Sequence, residues 1–363
     1  VNRQIRHLGY LLVALFLVLF VQLNNIQVLQ ASKLASDPRN NRQAVRDFSS
    51  ERGAIQTADG VVIANSIPVD DDYKQLRQYP KGELYGHMTG FFSFTYGAEG
   101  LERQYNKDLT GHTFALTGID DLLKERVNTN NVTITVTDKL QQVAKDALGD
   151  YRGSVVALNP KDGSVLAMYS NPSFDPSPLA GHDFKAVTQA RDSLIKDPAK
   201  PMLPRSYRET YPPGSTFKVV TASAAYERKR ELTTKRYPEL QAFTPPNTDR
   251  SLRNFGGDTC GGQLPELLRV SCNTGFGQMG IDLGAQNMFE QSRAFGFNAT
   301  PPLDIPAVAR STFPPIEQFR RNIPALAYSA IGQQDVKATP LQMALTAAGI
   351  ANEGVVMKPH FLK

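Results

Sequence analysis

Cysteine, histidine and clustered charge are all scarce in this 363-residue sequence, and each shortage removes a class of function. The five histidines are dispersed and no Cys/His group has metal-ligand spacing, so the chain calls for no metal site and no cofactor. Lysine and arginine total 40 against 35 acidic residues, a formal charge of only +5. The densest run, Glu227-Arg228-Lys229-Arg230, ends what reads as a helix, where cations suit the helix dipole. The basic footprint of a nucleic-acid-binding protein is therefore missing. The two cysteines, Cys260 and Cys272, are either free thiols or, in an exported domain, a disulfide closing a short loop; their proximity in sequence does not decide between the two. There is no internal repeat and no low-complexity tract.

What the sequence does hold begins with an apolar N-terminus. Leu8 to Leu23 reads LGYLLVALFLVLFVQL, and no charged residue occurs from Leu8 to Ser32. With Asn24 to Leu29 included, the stretch reaches the roughly 20 residues that a spanning helix needs. Arg3 and Arg6 precede it, which predicts the N-terminus inside and the rest outside. A cleaved signal peptide would show a small-residue cleavage site after the apolar run. Gln22, Asn24, Asn25 and Gln27 stand there instead, so an uncleaved signal anchor over residues 1–30 is expected.

A polar linker follows from Ala31 to Ser50. Between there and about residue 130 the chain reads as short strands and turns, with Asp59-Gly60 as a hairpin signal between Ala54-Ile55 and Val61-Val62-Ile63. A second region begins at residue 131. Val132 to Val136 alternates as a half-buried strand, and Asp138 is expected to cap a helix from Lys139 to Leu148. Ser154 to Leu158 and Ser164 to Tyr169 form a hairpin around Asn159-Pro160-Lys161-Asp162-Gly163. Beyond Ser177 the pattern is mainly helical. The architecture is α+β: a small strand-rich module over residues 31–130, then a larger domain over residues 131–363.

The stretch richest in chemistry is Tyr211-Pro212-Pro213-Gly214-Ser215-Thr216-Phe217-Lys218. The prolines stop any preceding helix and Gly214 permits a tight turn. Ser215 then opens a helix, and Lys218, three residues on, returns to nearly the same face. A serine needs a base to act as a nucleophile. A lysine serves only when its pKa falls toward about 7–8, which burial and the positive end of a helix dipole both favour. Against this stands an ordinary reading, in which Ser215 is an N-cap. Ser-x-x-Lys also arises by chance roughly once or twice in a chain this long. Ser193-Leu194-Ile195-Lys196 is such a match, set among charged residues on a solvated helix face. Ser271-Cys272-Asn273 adds the second element. An extended Ser-x-Asn turn presents a hydroxyl and a carboxamide on one side, placing Ser271 to relay a proton from Lys218 and Asn273 to hold Lys218 and a substrate amide. Its ordinary reading is a helix-capping turn.

Together, Tyr211 to Lys218 and Ser271 to Asn273 resemble the first two active-site motifs of the class B penicillin-binding proteins. Arg52-Gly53, Asp59-Gly60 and Gly100-Leu101-Glu102 with Leu109 and Gly111 resemble that family's N-terminal module. Gly153 to Pro160 and Gly163 to Ala167 resemble the first hairpin of its transpeptidase domain, and Gly332-Gln333, Ala338 to Gln342 and Ala351 to Gly354 the region ahead of its third motif. Within the family the pattern is similar to the actinobacterial penicillin-binding protein A group. The resemblance implies a penicillin-binding, serine β-lactamase-like fold and a D,D-transpeptidase. Ser215 would attack the penultimate D-alanine carbonyl of a peptidoglycan stem peptide, and an amine of a neighbouring stem would resolve the acyl-enzyme. β-Lactams would acylate the same serine. A membrane glycosyltransferase and division or elongation proteins would be its partners, at the outer face of the cell membrane.

Two other classes compete. A serine β-lactamase or D,D-carboxypeptidase is disfavoured by the anchor, by the N-terminal module and by the lack of a Glu-centred deacylation motif. A non-catalytic membrane-anchored scaffold would use the module at about residues 40–130. The family's third motif, Lys-(Thr/Ser)-Gly, does not occur. The stretch is therefore expected to be C-terminally truncated, lacking the family's last strands and one oxyanion donor worth about 2.7–4 kcal/mol. By itself it is expected to show little or no transpeptidase activity. Robust acylation of Ser215 by labelled penicillin, in these 363 residues alone, is the outcome that contradicts this.

Overall fold

The computed structural model describes residues 2–30, 48–111 and 129–363. Most of the expected linker, residues 31–47, and residues 112–128 of the expected module lie outside them. The chain divides into two compact units, residues 1–50 with 68–75, and residues 51–67 with 76–363. In the first, α1 (Asn2–Asn24) continues into a π turn, Asn25–Leu29. Residues Arg3–Asn24 make one helix long and apolar enough to cross a membrane, with none of its apolar stretch buried. Phe48 packs edge-on against Tyr73, with ring centroids 5.5 Å apart.

The second unit opens on a small sheet. β1 (Ile55–Gln56) pairs antiparallel with β2 (Val62–Pro68) through the Asp59-Gly60 turn, where Gly60 takes a φ of +83° and donates to Thr57 O. β3 (Gln75–Gln78) flanks β2, and β4 (Val132–Thr133) pairs parallel with β1 on the other side. Val132, Ile134 and Val136 are buried while Thr133 and Thr135 are half-buried, the alternation that the sequence indicates. The strand also completes the small sheet through β1, while Ile134 bridges Leu362 and Thr135 donates to Phe361 O.

Buried charge fastens this part. Glu102, on the short helix α2 (Gly100–Gln104), is fully buried and receives Arg52 Nε at 2.6 Å on one oxygen and Arg77 Nε at 2.6 Å on the other. Arg52 also donates to Glu102 O and Asn106 Oδ1, and Arg77 to the carbonyls of Arg52 and Gly53. Burial alone would raise the carboxyl's pKa, but the two guanidinium groups hold it below the ordinary value.

α3 runs from Asp138 to Leu148. Asp138 is its first helical residue and not its cap. Its carboxylate accepts instead from Tyr85 Oη and Lys81 Nζ, while the Asp59 carboxylate, from the β1–β2 turn, takes the Asp138 N–H at 3.0 Å. The capping acid is thus supplied from 79 residues away, which no local pattern reveals. β5 (Gly153–Leu158) and β6 (Val165–Asn171) make the expected hairpin, with Gly153 opposite Asn171. Val165 donates to His360 O, and Phe361 is buried beside Ile134 and Val165 in a core shared with the small sheet.

The rest of the unit is mainly helical and has its own core. α4 (Phe184–Lys196) carries Ser193 and Lys196 on an exposed face, where Ser193 Oγ donates to Gln189 O and Lys196 pairs with Asp192. α5 (Lys218–Arg228) packs on α7 (Asn273–Ala294), which in turn packs on α8 (Ile323–Ser329). Between them lie three short strands, β7 (Tyr237–Leu240), β8 (Leu252–Arg253) and β9 (Cys260–Gly262), and the short helix α6 (Leu264–Arg269). β9 pairs antiparallel with β7.

Removing the shared acid of the triad strands two buried cations. Glu102→Ala is expected to lower the unfolding free energy by about 3–5 kcal/mol in a urea titration, as for other broken buried pairs. A loss below about 1 kcal/mol would mean the triad is solvated.

Candidate active site

Gly214–Phe217 forms one 3-10 turn and α5 begins at Lys218. The sequence indicates an α-helical start; the tighter turn is what the structure has, and its three-residue repeat eclipses Lys218 under Ser215. Gly214 enters the turn at φ +58°, a conformation costly to any residue with a Cβ. Ser215 is exposed and does not cap the helix. Its hydroxyl faces Lys218 Nζ at 3.2 Å.

Two neighbours fix this turn from below and behind. Phe217 is buried, edge-on to Phe297 and stacked on Phe313. Gly332, at φ +71°, accepts the Gly214 N–H at 2.9 Å. A Cβ on Gly332 would fall 2.2 Å from Gly214 O and 2.7 Å from Phe217 Cβ, so no side chain fits there. Farther along, Tyr211 and Ala338 exchange both backbone hydrogen bonds. The segment around Gly332 and Ala338 is therefore part of the site's frame.

Lys218 is 1% exposed. Its amine donates to Ser271 O at 2.6 Å, Ser271 Oγ at 2.9 Å and Asn273 Oδ1 at 2.6 Å, and lies 5.6 Å from the centre of the Phe276 ring. The other three residues singled out in the sequence, Ser215, Ser271 and Asn273, thus converge on the Lys218 amine. The way Ser271 and Asn273 are presented differs from the expected extended turn. α6 ends at Arg269, Ser271 adopts a left-handed φ of +54°, Cys272 is the N-cap of α7, and Asn273 is the first helical residue. A non-glycine residue in that region costs on the order of 1–3 kcal/mol. Here the twist turns both the carbonyl and the hydroxyl of Ser271 onto the amine. Cys272 is buried and joined to Cys260 of β9 by a disulfide, tying the turn to the β7–β9 hairpin.

The electrostatics follow from burial. No carboxylate pairs with Lys218 among the described ion pairs. Desolvation brings its pKa down to about 8. A neutral amine has two N–H donors and one lone pair. The two 2.6 Å contacts, to Ser271 O and Asn273 Oδ1, suit the donors, and the lone pair remains for a hydroxyl proton. Such an arrangement is chemically able to take the proton of a serine hydroxyl.

Residues 153–363 match the model of the penicillin-binding protein transpeptidase domain. The chain belongs to that family. Residues 52–132 match a second model, the penicillin-binding protein A dimerisation domain. Over its whole length the chain is 39% identical to the peptidoglycan D,D-transpeptidase PbpA of Mycolicibacterium smegmatis and covers 75% of that protein. It is 38% identical to PbpA of Mycobacterium tuberculosis, with 99% of this chain and 75% of that one aligned. Penicillin-binding protein A of M. tuberculosis, solved as a ceftriaxone acyl-enzyme, superposes with a TM-score of 0.81 at 37% identity, covering 88% of this chain and 73% of that one. The penicillin-binding transpeptidase fold inferred from the two motifs is thus the fold the chain has.

Since only the free amine accepts a proton, acylation should accelerate as pH rises through the amine's pKa and level off above it. The ascending limb of the acylation rate is expected near pH 8, with roughly a tenth of the amines free at pH 7. A limb near pH 10, measured by pre-steady-state labelling, would show an amine that is not desolvated.

Proposed function

We propose that the protein cross-links peptidoglycan as a membrane-anchored serine D,D-transpeptidase, with Ser215 as nucleophile, Lys218 as its base, and Ser271 and Asn273 as relay and clamp. The observation that carries the reading is a buried lysine within 3.2 Å of an exposed serine hydroxyl, completed by the Ser271-Cys272-Asn273 turn.

Ser215 Oγ gives its proton to the Lys218 lone pair as it bonds to the penultimate D-alanine carbonyl of a donor stem peptide. The tetrahedral adduct collapses by breaking the C–N bond. The departing D-alanine amine takes a proton from the lysine through the Ser271 hydroxyl, which the 2.9 Å contact supports. An amine of a second stem then attacks the ester and gives a proton to Lys218; the acyl C–Oγ bond breaks and Lys218 returns the proton to Ser215 Oγ, regenerating the hydroxyl and the neutral amine. A β-lactam follows the first half alone: its ring C–N bond breaks, but the amine stays tethered, which obstructs the acceptor.

The N-terminal helix serves as an uncleaved anchor, with Arg3 and Arg6 on the cytoplasmic side and the catalytic domain outside. The module over residues 52–132, similar to a dimerisation domain, is the surface we assign to partners of the cell-wall machinery: a membrane glycosyltransferase and division or elongation proteins. The extent of the three parts follows the boundaries read from the sequence, 1–30, 31–130 and 131–363.

Labelled penicillin applied to membranes of the producing cell is expected to modify the protein on the peptide carrying Ser215. Ser215→Ala and Lys218→Ala are each expected to reduce labelling by at least about 1,000-fold. Loss of cross-linking in cells carrying Ser215→Ala supports the enzyme. Normal growth and cross-linking with that variant would leave the scaffold reading in its place.

A further inference from the structure

Phe217 lies between Ser215 and Lys218 in the catalytic turn, and two buried rings hold it. Phe297 meets it edge-on with centroids 5.4 Å apart, and Phe313 stacks on it at 5.8 Å with the planes 11° apart. The two rings come from separate stretches of chain, and one residue joins those stretches. Asn298 follows Phe297 just beyond α7. Its backbone N–H donates to Ser311 O at 2.7 Å. Its Oδ1 accepts the Phe313 N–H at 3.0 Å, and its Nδ2 donates to Phe313 O at 3.0 Å. The carboxamide meets Phe313 as a peptide unit of a neighbouring strand would, acceptor to N–H and donor to carbonyl.

The pairing runs on to the catalytic stretch. Thr312 and Lys337 exchange both backbone hydrogen bonds, at 2.7 and 2.9 Å, and the next residue, Ala338, exchanges both with Tyr211. Asn298 is thus a rung of an assembly whose far side is the head of the Tyr211–Lys218 stretch. Its own backbone is left-handed, at φ +64°, a region that asparagine tolerates better than most residues with a Cβ. A carboxamide also offers a donor and an acceptor together, which a carboxylate does not. Among the described hydrogen bonds, the Asn298 side chain makes only those to Phe313.

We infer that Asn298 is a positioning residue for acylation. By pinning the Phe313 backbone beside Phe297 it fixes the two rings that set Phe217, and with Phe217 the turn that carries Ser215 over Lys218. The inference rests on the transpeptidase reading above. The effect passes through the ring of Phe313, and Asn298 itself is placed to hold neither substrate nor proton.

The test follows labelling of the full-length protein by a fluorescent penicillin, in membranes of the producing cell, over time and at a series of penicillin concentrations. This separates the rate constant at saturation from the concentration that gives half of it. A smaller folded fraction lowers the amplitude of the time course and not its rate constant, so lost stability is not read as lost positioning. Asn298→Gly removes the carboxamide and accepts the left-handed φ. It is expected to lower the saturating rate constant at least about tenfold with the half-saturating concentration little changed. Asn298→Asp keeps an acceptor for the Phe313 N–H but offers no donor to its carbonyl. It is expected to lower the rate constant as well, and it serves if the glycine variant does not fold. Phe313→Leu is expected to lower it too, and to add no further loss when combined with Asn298→Gly, because both act through one ring. A rate constant unchanged in Asn298→Gly and Asn298→Asp, or losses that multiply in the combined variant, overturns the inference. Labelling that persists in Ser215→Ala would instead overturn the transpeptidase reading itself, so the two failures are told apart.

Discussion

A single amine held away from water governs the design of this protein's catalytic half. Among the described residues no acid pairs with Lys218 to stabilise its charge. It is ringed by a carbonyl, a carboxamide, two hydroxyls and an aromatic face. Those neutral acceptors orient the amine without forcing it to stay protonated, while burial supplies the shift toward neutrality. A carboxylate in place of Asn273 would satisfy the same geometry and defeat the purpose, because it would hold the proton on the nitrogen. The choice of an amide at that position is therefore an electrostatic requirement as much as a steric one.

Keeping such a site dry and aligned takes three separate segments, and the fold brings each by a different device. The 3-10 turn stacks the Lys218 amine under the Ser215 hydroxyl. The left-handed Ser271, with the disulfide at Cys272, delivers two oxygens from one residue. The loop at Gly332 closes the back. Strain at Ser271 and two glycines at positive φ are accepted at one place, and the surrounding core of Phe217, Phe276, Phe297 and Phe313 supports them. In the small sheet stability is gained differently, through Glu102 and its two arginines, so the two ends of the unit rest on different physics.

Much of this was legible before any coordinates. The Asp59-Gly60 hairpin, the alternation over Val132 to Val136 and the β5–β6 hairpin follow from local turn chemistry and side-chain period. Ser215, Lys218, Ser271 and Asn273 stand out because two short motifs together resemble a family's active-site pair, while each motif alone also reads as a helix cap. What could not be read depends on partners distant in sequence. Asp59 caps α3 from 79 residues away, and β4 joins β1 across a similar separation. The backbone twist at Ser271 leaves no trace in a Ser-x-Asn pattern, and Gly332, though part of the resemblance, shows its structural role only when Gly214 is found against it. The structural roles of Arg52 and Glu102, two of the resemblance's signposts, likewise emerge only when both are seen in one buried triad.

The contact between Gly214 and Gly332 bears on how bacteria escape antibiotics. If Ser215 is the nucleophile we propose, that contact shapes a turn which a drug and a cell-wall peptide would both have to meet. A substitution that spoiled it for one would then spoil it for the other. On that reading selection by a β-lactam gains nothing at these two glycines, and escape comes from positions that touch only what differs between the two molecules.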